Sequence, residues 1–432
     1  MTIASDTGWI FSVPKEWRIV PLGSAFQERK EQTTSENDAP LSVTKSGVVE
    51  QLGDVALSYD GAPKKRVKLN DLVINSRSDR KGSSGLAPRD GSVSVINTVL
   101  EPRSIVPKFA HHLIRSYGFQ EEFYRFGTGI VADLWSTRWS EMKNIAIPVP
   151  PLHEQQRIAD YLDHETAEID AFINDQQKFI ELLVEHRMAS VGTKIRYPSI
   201  FHDSSLLKHE LAPLKRFGHV SLGKMLDTKA ASGDDLHLDY LRAANVQPMG
   251  WLKLDDMKKM RFTTNEKRAL DLREGDVVVV EGGVGGYGRA AFVPKNLPET
   301  GFQNSIIRVR PTLDNDGRYL TYALILLRHR GYITTVSSVA SMPHFTAEKV
   351  ARTPIPIATL DEQRGTADSL DDLWQSHEVL SSEAAQAIAL ARERRAALIT
   401  AAVTGQIDVT AKNKPAAEQL EDDIAQGLYK ES

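Results

Sequence analysis

"IPVPPLHEQQRIADYL", Ile147 to Leu162, decides how the chain is built because it occurs twice. The second copy, Ile355 to Leu370, reads "IPIATLDEQRGTADSL" and keeps Ile, Pro, Leu, Glu, Gln, Ala, Asp and Leu in register, while Asp361 replaces His153. The "HEQQR" of the first copy stops one residue short of the HExxH zinc signature, which needs two histidines one helical turn apart with the glutamate as base. Arg157 stands where the second histidine would be, so the stretch offers one nitrogen ligand with a cation beside it. The histidine is lost in the copy and Leu-x-Glu-Gln is kept, which sets a metalloenzyme aside.

Sliding the chain by 208 positions aligns Ile147–Arg187 with Ile355–Arg395 without a gap, and 13 of the 41 positions are identical. Chance gives about two or three, and an internal repeat sets an architecture before any other feature does. The order is globule, long segment, globule, long segment. In the first long segment Ile158, Leu162, Ile169, Phe172, Phe179 and Leu183 recur at helical seam spacing, interrupted by Glu165 and Gln176. Pro150 and Pro151 stand at its entry, and no proline follows until Pro198. That leaves room for about 40 residues, or about 60 Å of helix. The second segment, Thr359 to about Thr404, places Leu370, Leu373, Leu380, Ala384, Ala387, Ala391 and Leu398 at the same intervals, with Gly405 as its stop. Small alanines on one seam suit Phe172 and Phe179 on the other, so the helices are expected to pack as an antiparallel coiled coil. The plainer alternative is two amphipathic helices, each covering its own domain.

The expected fold class is α+β: two globular domains related by the repeat, at 1–150 and 195–357, with long helices at 151–194 and 358–410 and a loosely held tail at 411–432. "LNDLVINSRS" (Leu69–Ser78) and "LREGDVVVVEGG" (Leu272–Gly283) are matching turn-then-strand signals. "FAHHLIRSYGFQEEFYRF" and "RYLTYALILLRHRGYITTV" each read as one helix before the repeated motif.

The 432 residues contain no cysteine, which excludes disulfides, thiolate zinc sites and thiol nucleophiles. There is no signal-like N-terminus and no run of 18 apolar residues, so a cytoplasmic protein without a membrane partner is expected. The net charge of −4 hides a partition: +2 for 1–150 and +6 for 195–357, against −5 for 151–194 and −7 for 358–432. Basic globules joined by acidic helices fit phosphate binding by the globules.

Gly61–Arg89 carries eight positive side chains against two negative. In it Lys64, Lys65, Arg66, Arg77, Arg80 and Lys81 are candidates for DNA contact, with Lys45 and Arg138 outside it. In the second globule the candidates are Lys258, Lys259 and Arg261 of "MKKMRF", Arg242 with Asn245, Tyr287 with Arg289, and His344. Such residues hold phosphates by charge and reach base edges with Arg, Lys and Asn, although a charge run by itself is often only a solvated face.

Catalytic signatures are missing. Gly283, Gly285 and Gly288 satisfy G-x-G-x-x-G after a strand, but Pro294 and Pro298 leave no room for the helix a dinucleotide site opens on, so a turn or close backbone approach is expected. No phosphate-binding G-x-x-x-x-G-K-[ST] loop and no Asn/Asp-Pro-Pro-Tyr motif occurs. His111 and His112 read as helix surface and core, not as a ligand pair. No catalytic, cofactor-binding or metal residue is assigned.

Two basic globules, each followed by Ile-Pro-hydrophobic-x-x-Leu-x-Glu-Gln and a long helix ending in Glu-x-Arg, resemble the specificity subunit of type I restriction-modification systems over essentially the whole chain. "PKEWRIVPLGSAF" (Pro14–Phe26) is similar to the entry of that family's first recognition domain, and "VTGQIDV" (Val403–Val409) to the end of its second conserved helix. The Pro-Pro-Leu pattern is complete at Pro150–Leu152 but reads Ala-Thr-Leu at 358–360. The resemblance implies a non-catalytic subunit of a host-defence methyltransferase/endonuclease complex, whose two domains each read half of a bipartite double-stranded DNA target. It further implies spacer helices that dock two methyltransferase subunits bringing S-adenosylmethionine, with motor-nuclease subunits in the full complex. The helix residues expected to serve there are Leu152, Glu154, Gln155, Leu162, Ile169, Phe172 and Phe179, then Leu360, Glu362, Gln363, Leu370, Leu380 and Leu398. A type IIB-like specificity subunit and a two-headed DNA-binding regulator without methyltransferase partners stay open as alternatives.

Overall fold

The computed structural model describes residues 8–10, 13–34, 37–51, 62–129, 135–196, 211–226, 236–283, 286–337 and 343–409. The tail at 411–432 and Gly285 of the glycine-rich turn lie outside them. The chain divides into two compact units, residues 1–177 with 385–432 and residues 178–384, so each takes part of both long helices.

The first unit has an antiparallel four-stranded sheet in the order Phe26–Glu28, Asn97–Pro102, Leu72–Asn75, Ser84–Leu86. A second sheet runs Gln32–Thr33, Lys64–Val67, Gly91–Ser94, beside a hairpin of Leu41–Thr44 with Gly47–Glu50. Arg18–Pro21 pairs with Ala146–Val149, the strand just before the long helix. The second unit follows the same plan. Its four-stranded sheet is ordered Gly218–Leu222, Ile306–Pro311, Val277–Val280, Ala290–Phe292, and Leu211–Pro213 pairs with Pro354–Pro356. Its three-stranded sheet, Lys258–Phe262, Leu236–Leu241, Thr300–Phe302, differs in having one parallel pair.

The two turn-then-strand signals form central strands. All four valines of Val277–Val280 are buried, as a continuous apolar run requires when a strand is covered on both faces. The turn ahead of each strand is closed by an aspartate three residues on: Asp71 accepts from the Lys68 N–H and Asp276 from the Arg273 N–H, both at 2.8 Å. Each aspartate is almost wholly buried and is neutralised by an arginine of a neighbouring strand region, Arg29 and Arg310, at 2.7 Å. A buried charge is tolerated only when paired in this way.

Each stretch expected as one helix is two. Pro107–Arg115 ends at Ser116, whose extended backbone breaks the run and whose hydroxyl accepts from the Phe119 N–H to start Tyr117–Arg125. Gly317–His329 is separated from Tyr332–Ser337 by Gly331 at φ +80°, a conformation that favours glycine.

The long helices are Leu152–Lys194 and Leu360–Val403, the second ended by Gly405 at φ +71°. In the first unit Ile158, Ala159 and Leu162 share a core with Ile399, Ala402 and Val403, and Ile169 and Phe172 line an open groove together with Ala387, Leu390 and Ala391. Arg395 bonds Asp170 at 2.9 Å. In the second unit His186 meets His377 at 3.3 Å, Arg187 donates to the Trp374 carbonyl at 3.3 Å, and Lys194 donates to Ser369 at 2.6 Å. Within each unit the helix portions therefore lie side by side and run in opposite directions. The seam is less dry than its spacing implies: Phe172, Phe179 and Leu380 remain about 40% exposed, whereas Leu162 and Leu370 are fully buried.

Candidate nucleic-acid interface

The repeated Leu-x-Glu-Gln fastens each long helix to its own domain. Gln155 and Gln363 are 1% and 0% exposed, so their side chains cannot be offered to a docking subunit, contrary to the expectation from sequence. Gln155 Oε1 accepts from the Val106 N–H and its amide donates to the Pro150 carbonyl, each at 2.8 Å. Gln363 Oε1 accepts from the Asp316 N–H at 2.9 Å, and its amide donates to the Ala358 carbonyl and Asn315 Oδ1. Val106 and Asp316 are the N-caps of Pro107–Arg115 and Gly317–His329, so in both units the glutamine joins a domain helix to the start of a long helix. Glu362 instead caps its own helix by accepting from the Thr359 N–H and hydroxyl. Leu152 is 62% exposed, Glu154 and Leu360 are half-buried, and Leu398 packs against the first core.

His112 is buried and bonds Asp163 at 2.8 Å, which holds the Asp163 carboxyl down at about 2. His111 is pushed down to about 3 by burial and is neutral at ordinary pH. Both face the protein interior, not a ligand.

The basic stretch of the first unit divides into committed and available side chains. Lys65 Nζ donates to the Asn97 carbonyl at 2.8 Å, and burial lowers its pKa, so it serves the sheet and is removed from the DNA candidates. Arg66 is held by Asp38 at 3.0 Å, and Lys64 lies half-exposed beside it. Arg77 and Arg80 are 50% and 67% exposed and share Asp79. Lys81 bonds Glu121 and lies 4.5 Å over the Tyr124 ring. Exposed pairs of this kind contribute only ~0 to 1 kcal/mol, so a phosphate can displace the carboxylate at little cost. An Arg77–Ser136 bridge, with the Thr137 N–H donating to the Ser76 carbonyl at 2.9 Å, joins this loop to exposed Arg138. Arg115 donates to the carbonyls of Ser84 and Lys45, tying the hairpin turn that carries exposed Lys45 to the same edge.

In the second unit a bridge between Gly282 and His344 occupies the corresponding place, after the central strand and before the short helix Ala347–Arg352. His344 is exposed, Arg289 and Tyr287 are half-buried, and Tyr287 reaches Thr334 at 3.4 Å. Lys258 and Lys259 are exposed and Arg261 half-buried on their strand. Asn245 is a correction: it is 2% exposed and spends its amide on the Arg242 N–H and the Lys253 carbonyl, closing a turn instead of reaching a base. Arg242 bonds Asp256 at 2.7 Å. Neither commitment is visible from residue type, since both depend on tertiary partners. Among the described residues no group of three His, Asp or Glu could hold a metal ion, and no helix is long and apolar enough to cross a membrane.

Neutralising Arg77, Arg80, Lys81 and Arg138 together should weaken DNA binding and lower the log-log salt slope by about 0.9 for each phosphate no longer neutralised. Lys65→Met should leave that slope unchanged. Equal slopes for the quadruple variant and the parent, measured by fluorescence anisotropy across a salt series, would show that this edge does not touch phosphate.

Two units of one plan, each fastened to a long helix by a buried glutamine and each carrying exposed cations, define a protein of paired domains. The family model described as "Type I restriction modification DNA specificity domain" matches twice, at residues 14–182 and 213–386. The chain belongs to this family and is a type I restriction-modification specificity subunit. Among curated proteins it is similar to the type I restriction enzyme StySPI specificity subunit of Salmonella potsdam, 20% identical over 357 residues that cover 79% of this chain and 76% of that one. Its fold is similar to a structure titled for complex assembly and conformational transition of the type I R-M system, with TM-score 0.64 and 16% identity over 92% of this chain and all of that one. It is also similar to the HsdS subunit from Thermoanaerobacter tengcongensis, with TM-score 0.51 and 18% identity over 94% of this chain and all of that one.

Proposed function

We propose that each unit reads one half of a bipartite double-stranded DNA target, and that the long helices form an antiparallel coiled coil that sets the spacer and docks two methyltransferase subunits. The recognition domains are residues 1–150 and 195–357, and the spacer helices are 151–194 and 358–410. The chain supplies sequence reading and no catalysis. S-adenosylmethionine arrives with the methyltransferase, which flips the target adenine out of the stack into its own pocket, and motor-nuclease subunits join for cleavage in the cytoplasm.

The observation that carries this reading is the repetition of one plan in both units: the same order of the four-stranded sheet and the same buried glutamine clamp onto a long helix. Two similar reading heads on one chain fit a target in two parts. The aligned sequence repeat and the opposed helix portions support a single ancestral unit doubled around a paired spacer. Phosphate contact falls to Lys45, Arg77, Arg80, Lys81 and Arg138 in the first unit and to Lys258, Lys259 and Arg289 in the second.

The test is co-expression with the cognate methyltransferase subunit in a methylation-free host, followed by sequencing of methylated adenines. A split motif, two specified blocks around an unspecified gap, is expected. Specific DNA binding with no methylation would favour the two-headed regulator, and an uninterrupted motif would contradict the division of labour.

A further inference from the structure

The glycine-rich turn after Val277–Val280 carries an acid, Glu281, together with Arg289, and bridges to His344. Glu281 follows the central strand directly, and its backbone is fixed on both sides: its N–H donates to the Ser305 carbonyl at 2.9 Å and its carbonyl accepts from the Phe345 N–H at 2.8 Å. The next residue, Gly282, bridges to His344. A Cβ at Gly282 would stand 2.7 Å from two atoms of the His344 ring, so glycine is what lets that ring lie against the turn. Gly283, at φ +110°, has no described residue within 4 Å of where its Cβ would be. Among the described residues the half-buried Glu281 side chain has no hydrogen bond or ion pair, whereas Asp79, Glu121 and Asp256 all hold cations. Arg289, on the same turn, has a buried Nε without a hydrogen-bond partner. Burial pushes the Glu281 carboxyl up and His344 only partly offsets it, so the anion is stabilised less than in water until a donor arrives.

We propose that Glu281 is a base-reading residue of the second unit, its carboxylate accepting from an exocyclic amino group, N4 of cytosine or N6 of adenine, in the major groove. An ionised carboxylate can only accept, and phosphate repels it. In the major groove guanine and thymine present acceptors, while cytosine and adenine each present one amino donor. An acid on a DNA-facing edge therefore selects cytosine or adenine on the strand it faces and rejects the other two bases. His344, packed on the turn, limits the positions open to the carboxylate. The matching position in the first unit is Ser76, whose hydroxyl is spent on the Ile96 carbonyl, so that unit lacks this reader. The inference rests on the reading of the second unit as a DNA-recognition domain.

The experiment uses the full chain assembled with its methyltransferase subunit. Methylated motifs are compared for the parent, Glu281→Ala and the near-isosteric Glu281→Gln. Binding is measured on duplexes in which single adenines of the second half-site are replaced by purine, or single cytosines by 2-pyrimidinone, each lacking only the amino group. One such replacement should cost the parent about ten- to hundredfold in affinity and should cost Glu281→Ala nothing, and which replacement does so tells cytosine from adenine. Glu281→Ala should relax one base pair of one half-site and leave the other half-site and the spacer as they were. Glu281→Gln should favour adenine there, which glutamine reads through N6 and N7. The proposal is overturned if the parent tolerates every single amino deletion in that half-site, a result that does not depend on how any variant folds. A parent that gives no split motif at all would instead sink the functional reading beneath it.

Discussion

Gln363→Met is expected to destabilise the second unit by about 3 to 5 kcal/mol, although methionine nearly preserves the side-chain volume. It removes one acceptor and two donors carried by a side chain that is itself wholly buried, leaving the Asp316 N–H, the Ala358 carbonyl and Asn315 Oδ1, all on half-buried residues, short of a partner. Each buried polar group left unsatisfied costs about 1 to 3 kcal/mol. The loss should be local: urea unfolding followed by hydrogen exchange should show early opening of residues 316–330 with the first unit unchanged, and methylation should keep specificity for one half-site only. Gln155→Met should do the same in the first unit with a somewhat smaller cost, because its two bonds engage only the Val106 N–H and the Pro150 carbonyl. A cost below about 0.5 kcal/mol, the usual size of a change away from such features, would mean that the glutamines are not clamps.

The second large effect concerns spacing. Four residues inserted in both long helices, after Gln176 and after Gln386, lengthen the proposed coiled coil by about 6 Å and rotate it by about 40°. At a rise of about 3.4 Å per base pair, the methylated motif should keep its outer bases and gain one or two positions in its gap. Inserting in both helices preserves their opposed pairing, and a Gly-Pro insertion, which breaks the helix, is the control expected to abolish activity. A folded, active variant that methylates at the original spacing would show that these helices do not measure DNA.

The long helices were legible because a seam that repeats at helical spacing without proline demands one continuous helix, and their observed ends fall within a few residues of the expected ones at the N-termini and at Gly405. The central strands were legible from turn-then-strand signals. What Leu-x-Glu-Gln does was not, since recurrence marks Gln155 and Gln363 without revealing that their partners are N–H groups about 50 residues earlier in the chain. The breaks at Ser116 and Gly331 were hidden inside stretches whose apolar spacing continues across them, and only a capping hydroxyl and a positive φ end the run. Among the candidate DNA contacts, residue type could not separate Arg80, which is exposed, from Lys65, which spends its charge on a carbonyl of its own sheet. Positive charge is equally blind to Glu281, whose interest is that it is an acid on the turn that carries Arg289 and bridges to His344. The zinc decoy failed on Arg157 in place of a second histidine, and the dinucleotide decoy on Pro294 and Pro298 where a helix would have to open. Gly282 and Gly288 serve close approach instead, to the ring of His344 and the side chain of Ile333.

The central claim, that the two units read separate halves of one target, is tested most directly by exchanging residues 14–145 for the matching domain of another family member and mapping methylated adenines. The account predicts a motif in which one half-site is replaced, while the other half-site and the gap are retained. A motif unchanged by the exchange, or one in which both halves change together, would contradict it.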